Sequence, residues 1–132
     1  GYIWIMIHSG SRNIGLKVAN HYNKVAQDLN EKYFSSVPKS AQLAFLPIPS
    51  EEAKQYMDEM QYCIEFALAN RKLMMDRMIE AITEVKGSFG HDDIINKSHN
   101  FAAWENHHGT NVLVHNDPEK IIAQAIYVDT HV

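Results

Sequence analysis

The apolar positions Met57, Met60, Ile64, Ala67, Met74, Met78, Ile82 and Val85 recur at the three-to-four-residue spacing of one helix face. They predict a single long helix between Ser50 and Lys86-Gly87. Ser50 is placed to cap the first turn, and Glu51 and Glu52 follow where the helix dipole favours anions. Ala53 stands where Glu or Gln would complete a capping box, and Gly87 is a good C-terminal stop. At 1.5 Å per residue such a helix is about 50 Å long, enough to admit a kink or a break. Its methionines suit core packing better than a cofactor or partner groove, because an unbranched thioether fills irregular gaps.

The remaining pattern supplies what this helix packs against. Residues 2–7, "YIWIMI", are β-branched and aromatic without alternation, which predicts a strand buried on both faces. From Asn13 to about Lys32 the positions Ile14, Val18, Tyr22, Val25 and Leu29 mark an amphipathic helix. Pro38, Pro47 and Pro49 punctuate a connection whose "LAFL" is expected to pack on the core. Beyond "KGSFGHDD" the period changes. "IINKSHNFAAWEN" and "NVLVH" read as strands joined in a hairpin at "HHGT", and "IIAQAIYV" as a final strand or a short helix. The order predicts an α+β fold, a small mixed sheet with long amphipathic helices packed on one face. Residues 1–132 are expected to form a single domain, without repeat, low-complexity segment or linker.

Composition sets limits on function. With 132 residues, 45% of them hydrophobic and 21% charged, the chain is an ordinary globular one, long enough to bury a sizeable core. A net charge of -4 excludes binding to nucleic acid through an overall basic field, so any such contact needs a local patch. The lone cysteine, Cys63, excludes an internal disulfide framework and points to a reducing compartment, the cytoplasm. Its place in the helical pattern makes it a buried structural thiol. No apolar run reaches the roughly 18 residues that a membrane span needs. The chain opens directly in a strand-like run, without the basic flank and cleavage site of a signal peptide, which leads us to expect a segment of a larger protein.

The chemistry concentrates in two stretches. In "IMIHSGSRNIG", residues 5–15, an apolar strand ends at a histidine, passes a Ser-Gly-Ser turn and enters a helix beside an arginine. Backbone N–H groups left free at a helix start, together with the dipole, attract anions. Arg12 adds a bidentate clamp for a phosphate, and His8 sits at the carboxyl end of the strand, where ligands of such sheets bind. Gly10 and Gly15 have the glycine spacing of a P-loop, but Leu16 and Lys17 follow where Lys and Ser/Thr are required. The second stretch, "SHNFAAWENHHG", offers His99 and Asn100; a histidine from each of two distant strands is a usual way to hold Mn, Fe or Zn. Of the eight histidines, His107 and His108 fall in the expected turn and read as solvated, His21 lies on the first helix, and His91 opens a polar loop. The chain has no Ser-His-Asp pattern, paired-cysteine zinc motif, HExxH helix or Rossmann glycine run.

"HSGSRNIG" before an amphipathic helix, "LAFLPIPSEEAKQYMDEMQYCIEFALANRK" and "HNFAAWENHHG" resemble, in order, the RtcB family of RNA ligases over residues 3–115. The resemblance implies joining of an RNA 3′-phosphate or 2′,3′-cyclic phosphate end to a 5′-hydroxyl, with GTP and manganese, through a guanylylated histidine. By this resemblance His8 is a manganese ligand and His99 a second one that also meets the nucleotide. Asn100 corresponds to the asparagine that touches the guanine nucleotide, and Arg12 to the arginine that steadies an RNA phosphate. The partners implied are tRNA halves or broken RNA ends. The family's metal-bridging cysteine, its Asn-His motif and its guanylylated histidine all belong to motifs outside this sequence. Cys63 is no counterpart of the first, and His131 lacks the glycine-rich context of the last. After His115 the chain reads "NDPEK", unlike the family's basic, glycine-containing turn. The expectation is therefore a central segment, inactive in joining by itself and liable to self-associate through exposed core surface. Two other classes fit less of the pattern: a non-catalytic assembly module that keeps the fold, and a metal-dependent phosphohydrolase, for which Asp92 and Asp93 are the nearest carboxylates.

Overall fold

The computed structural model describes residues 2–41, 43–91, 94–98, 102–115 and 125–129. Along the chain run strand β1 (Tyr2–Met6), helix α1 (Ile14–Lys32), a short 3-10 turn (Lys39–Ala41), helix α2 (Glu51–Lys86), and strands β2 (Ala102–His107), β3 (Thr110–His115) and β4 (Ala125–Asp129). The α+β class expected from the sequence holds. Two compact units are present, one comprising Gly1–Gly10 with Ala67–Val132 and the other Ser11–Phe66.

In the second unit, α1 lies where its apolar spacing placed it, with Tyr22, Ala26 and Asn30 buried. Tyr22 is the hub. Its ring packs against Tyr56 with centroids 5.2 Å apart, and its hydroxyl donates to Glu59 Oε1 at 2.9 Å. Burial first, then the Glu59 carboxylate, push the Tyr22 phenol above its ordinary pKa of 10.0. The proline-punctuated connection is tied down through its backbone. Asn30 Nδ2 donates to the Phe45 carbonyl at 2.7 Å, and the Phe45 N–H donates to Asn30 Oδ1 at 3.0 Å. The expected core packing of "LAFL" is corrected for two of its residues: Leu43 is 69% exposed and Phe45 is exposed too, whereas Ala44 and Leu46 are half-buried.

Helix α2 runs unbroken over 36 residues. Ser50 caps it as expected, its hydroxyl accepting from the Ala53 N–H at 3.1 Å, and Gly87 closes it with φ of 81° and an N–H donated to the Thr83 carbonyl. The buried stripe differs from the predicted one. Ala53, Cys63, Ala67, Arg71 and Met75 are buried, whereas Met74, Met78 and Val85 are exposed. From Cys63 to Met75 the burial steps by four residues, which keeps one face turned inward and brings an arginine onto it. Cys63 is buried as expected, and that burial, with Glu59 nearby, raises its thiol pKa.

In the first unit, Met75 forms a small core with Ile5, Ile7, Ile79 and Phe89. The expectation that β1 is covered on both faces is corrected: Ile5 and Ile7 face Met75, while Trp4 and Met6 are 61% and 64% exposed. From Trp4 to Ile7 the burial therefore alternates, and among the described residues one face packs on Met75 while the other stays exposed. Strand β1 pairs antiparallel with β4, Trp4 opposite Tyr127, so the described part of the last segment, Ala125–Asp129, is a strand, while residues 121–124 lie outside the described residues. Strands β2 and β3 form the expected hairpin, with Trp104 opposite Leu113 and the pair His107–Thr110 closing the ladder. Its two-residue loop, His108-Gly109, has φ of 53° and 84°, the double positive φ of a type I′ turn. Among the described residues the expected mixed sheet is two antiparallel two-stranded sheets; of the strand expected from Ile94, Ala102–His107 is strand and residues 94–98 are irregular.

Asn30→Ala leaves the Phe45 N–H and carbonyl without their partner and is expected to cost about 2 kcal/mol, read by urea unfolding. Tyr22→Phe is expected to cost about 1 kcal/mol near neutral pH. Because the folded phenol titrates above the unfolded one, the Tyr22 contribution is complete below pH 10.0 and is lost as pH rises through the raised value. The loss of stability on going above pH 10 should accordingly be shallower in the phenylalanine variant.

Candidate functional site

The turn after β1 is built by side chains from α2. His8 lies two residues past the end of the strand, with its imidazole exposed. Ser9, the next residue, is gripped twice. Arg71 Nη1 donates to the Ser9 carbonyl at 2.9 Å, and Asn70 Nδ2 donates to Ser9 Oγ at 3.1 Å. Arg71 reaches a second segment as well, its Nε donating to Asn96 Oδ1 at 2.9 Å. Asn96 in turn donates from Nδ2 to the Leu68 carbonyl at 3.0 Å. Burial pulls the Arg71 guanidinium pKa below its ordinary value. These partners, all neutral, were not expected from the sequence. The signal that could have found them is the charged residue standing on the apolar stripe of α2.

Ser11 begins the second unit and shapes the entry to α1 alone. Its carbonyl accepts from the Ile14 N–H at 3.2 Å and its hydroxyl from the Gly15 N–H at 2.9 Å. This corrects in part the expectation of free N–H groups at the helix start, because Ser11 already engages the Ile14 and Gly15 donors. A Cβ at Gly15 would come within 2.6 Å of that hydroxyl, which is why glycine suits the position. Arg12 and Asn13 follow with φ of 53° and 76°. Asparagine tolerates the left-handed region, but for arginine it costs about 1 kcal/mol, and such strain gathers at functional positions. The Arg12 side chain is exposed.

His99 and Asn100, the other expected site residues, lie outside the described residues. His107 sits on the β2–β3 hairpin, where Nε2 pairs with Glu105 Oε2 at 2.9 Å, and His108 is exposed in the turn. His21 is exposed on α1 with its ring edge-on to Tyr22. Among the described residues no three His, Cys, Asp or Glu side chains converge as a cation-binding group. Among the described residues no helix is long and apolar enough to cross a membrane.

Comparison with known proteins decides the kinship. The family model for tRNA-splicing ligase RtcB matches residues 1–117. The chain belongs to the RtcB family. It is 32% identical over 111 residues to the tRNA-splicing ligase RtcB of Thermococcus kodakarensis, covering 81% of this chain and 23% of that protein. Against the protein of the same name from Pyrococcus horikoshii it is 31% identical over 112 residues, covering 81% of this chain and 13% of the relative. For Methanococcus maripaludis the identity is 35% over 107 residues, with 78% and 22% covered. The chain spans less than a quarter of the length of these curated RtcB relatives. No solved structure matches it.

If Arg12 is strained by its left-handed φ, Arg12→Gly leaves stability unchanged or raises it by about 1 kcal/mol, where glycine at an ordinary helical position costs about that much. Thermal unfolding of Arg12→Gly beside Arg12→Ala separates the two cases, and a glycine variant less stable than the alanine one contradicts the strain.

Proposed function

We propose that this chain contributes to an RNA ligase that joins RNA ends bearing a 3′-phosphate or 2′,3′-cyclic phosphate to 5′-hydroxyl ends, using GTP and Mn2+. The observation that carries this is the family match across residues 1–117, a range that includes the "HSGSR" turn, the "ANR" of α2 and the "HNFA" stretch. His8 and His99 are the ligands we assign to Mn2+, as two neutral imidazoles from separate segments. When bound, the metal supplies Lewis-acid stabilisation of phosphoryl oxygens. Asn100, whose amide can both donate and accept, and His99 are assigned to the guanine nucleotide.

Arg12 is assigned to the phosphate of the RNA end. Its guanidinium is exposed and offers two parallel donors to a phosphate, and the strained backbone at this residue favours a role beyond solvation. With a net charge of -4, the chain has no overall attraction for RNA, so this local contact must position the substrate. The RNA partners proposed are tRNA halves or broken ends, and the proposed compartment is the cytoplasm, in keeping with one unpaired, buried cysteine. By itself the chain is proposed to be inactive in joining and to self-associate through exposed apolar residues such as Trp4 and Met6.

Calorimetric titration with Mn2+ tests the ligand assignment. Binding by the chain that disappears in both His8→Ala and His99→Ala is the expected result, and binding indifferent to both changes removes the assignment. In a gel assay with a 3′-phosphate and a 5′-hydroxyl RNA, the purified 132-residue chain is expected to form no GTP-dependent product; a joined product would show that the catalytic set is complete within it.

A further inference from the structure

We infer that Arg71 is a positioning residue that couples the segment bearing His8 to residues 94–98, which precede His99 in the sequence, and so fixes the spacing between these two stretches. The inference rests on the ligand assignment proposed above for its functional meaning, and on the geometry of one unit for its physical content. Arg71 is 7% exposed, and its fork is divided between two stretches remote in sequence. Nη1 holds the carbonyl of Ser9, adjacent to His8, and Nε holds Asn96, three residues before His99. Each stretch has a second tether to the same helix, Ser9 to Asn70 and Asn96 to the Leu68 carbonyl. All four contacts spring from Leu68, Asn70 and Arg71, less than one turn of α2, so the helix backbone sets the spacing between the two stretches.

The chemistry of the residue supports this reading. A buried cation is costly unless its donors are satisfied, so Arg71 tolerates little movement of either acceptor. A planar guanidinium directs its N–H groups at fixed angles, whereas a lysine ammonium is a point charge on a flexible stem and cannot hold two acceptors in one plane. Nη2 of Arg71 and Oγ of Ser98 are buried with no hydrogen-bond partner among the described residues. Spare polar atoms therefore stand both on the clamp and on the residue immediately before His99.

Hydrogen exchange read by mass spectrometry on the full chain tests the coupling, with Arg71→Met, Arg71→Lys and Asn96→Leu. Peptides spanning 5–12 and 93–98 report the two segments, and a peptide within α1 reports whether the fold survives. Arg71→Met is expected to speed exchange tenfold or more in both segments with α1 unchanged. Asn96→Leu is expected to loosen only 93–98, and Arg71→Lys to restore at most one of the two. Unaltered exchange in the methionine variant, or loss of protection in α1 as well, overturns the inference, since the first denies the clamp and the second makes Arg71 a general stabiliser. Mn2+ affinity, read by electron paramagnetic resonance on the same samples, is expected to fall tenfold or more in Arg71→Met. Undiminished affinity beside two loosened segments also overturns it. Coupled loosening in a chain that binds no Mn2+ upholds the clamp while removing the metal assignment of His8 and His99.

Discussion

A guanidinium on the buried stripe of a helix needs acceptors, and two segments of the first unit supply them to Nε and Nη1 of Arg71. Desolvation lowers its pKa, and among the described residues the side chain is held by a backbone carbonyl and an amide oxygen. The turn after β1 lends a backbone carbonyl, and the irregular stretch before β2 lends an amide side chain. Irregular backbone suits this task, because a carbonyl outside a ladder is free to accept from a side chain. The methionine one turn further along α2 then packs against Ile5 and Ile7, so the same helix face that anchors the turn also anchors the strand feeding it. Polar anchoring and apolar packing thus act on adjacent turns, and the exposed His8 emerges from a chain held on both sides.

The second unit uses neutral groups for the same end. Asn30 binds both the N–H and the carbonyl of Phe45, an arrangement resembling one rung of an antiparallel ladder, and it holds a segment whose prolines keep it out of regular structure. Tyr22 joins α1 to the amino-terminal half of α2 through ring packing and one hydrogen bond. The entry to α1 then carries its own local strain at Arg12, stabilised by the Ser11 cap on the far side of the turn. Membership of the RtcB family gives these local features a common context, since the "HSGSR" turn spans both the gripped serine and the strained arginine.

Several elements were legible from residue pattern because local energetics decides them. The three-to-four spacing of α1, the Ser50 cap, the Gly87 stop and the hairpin at His108-Gly109 all depend on groups within a few residues of one another. The α+β class, the buried thiol of Cys63 and the kinship carried by the "HSGSR" and "ANR" stretches followed from the same reading.

Other features depended on partners far along the chain. Whether β1 is covered on one face or two is set by what packs on it, and here Ile5 and the neighbouring Ile7 meet Met75 while Trp4 and Met6 stay exposed. The choice of Met75 over Met74 and Met78 reflects the direction in which α2 turns its face, which a run of similar apolar residues leaves open. The burial of Arg71 is the clearest case. A charged side chain on an apolar stripe reads as an interruption until Ser9 and Asn96, 62 and 25 positions away, are brought to its two donors. Sequence by itself determined the helices, caps, turns and family; tertiary structure alone decided which faces are buried and where the buried cation finds its acceptors, because those energies arise only between segments that folding brings together.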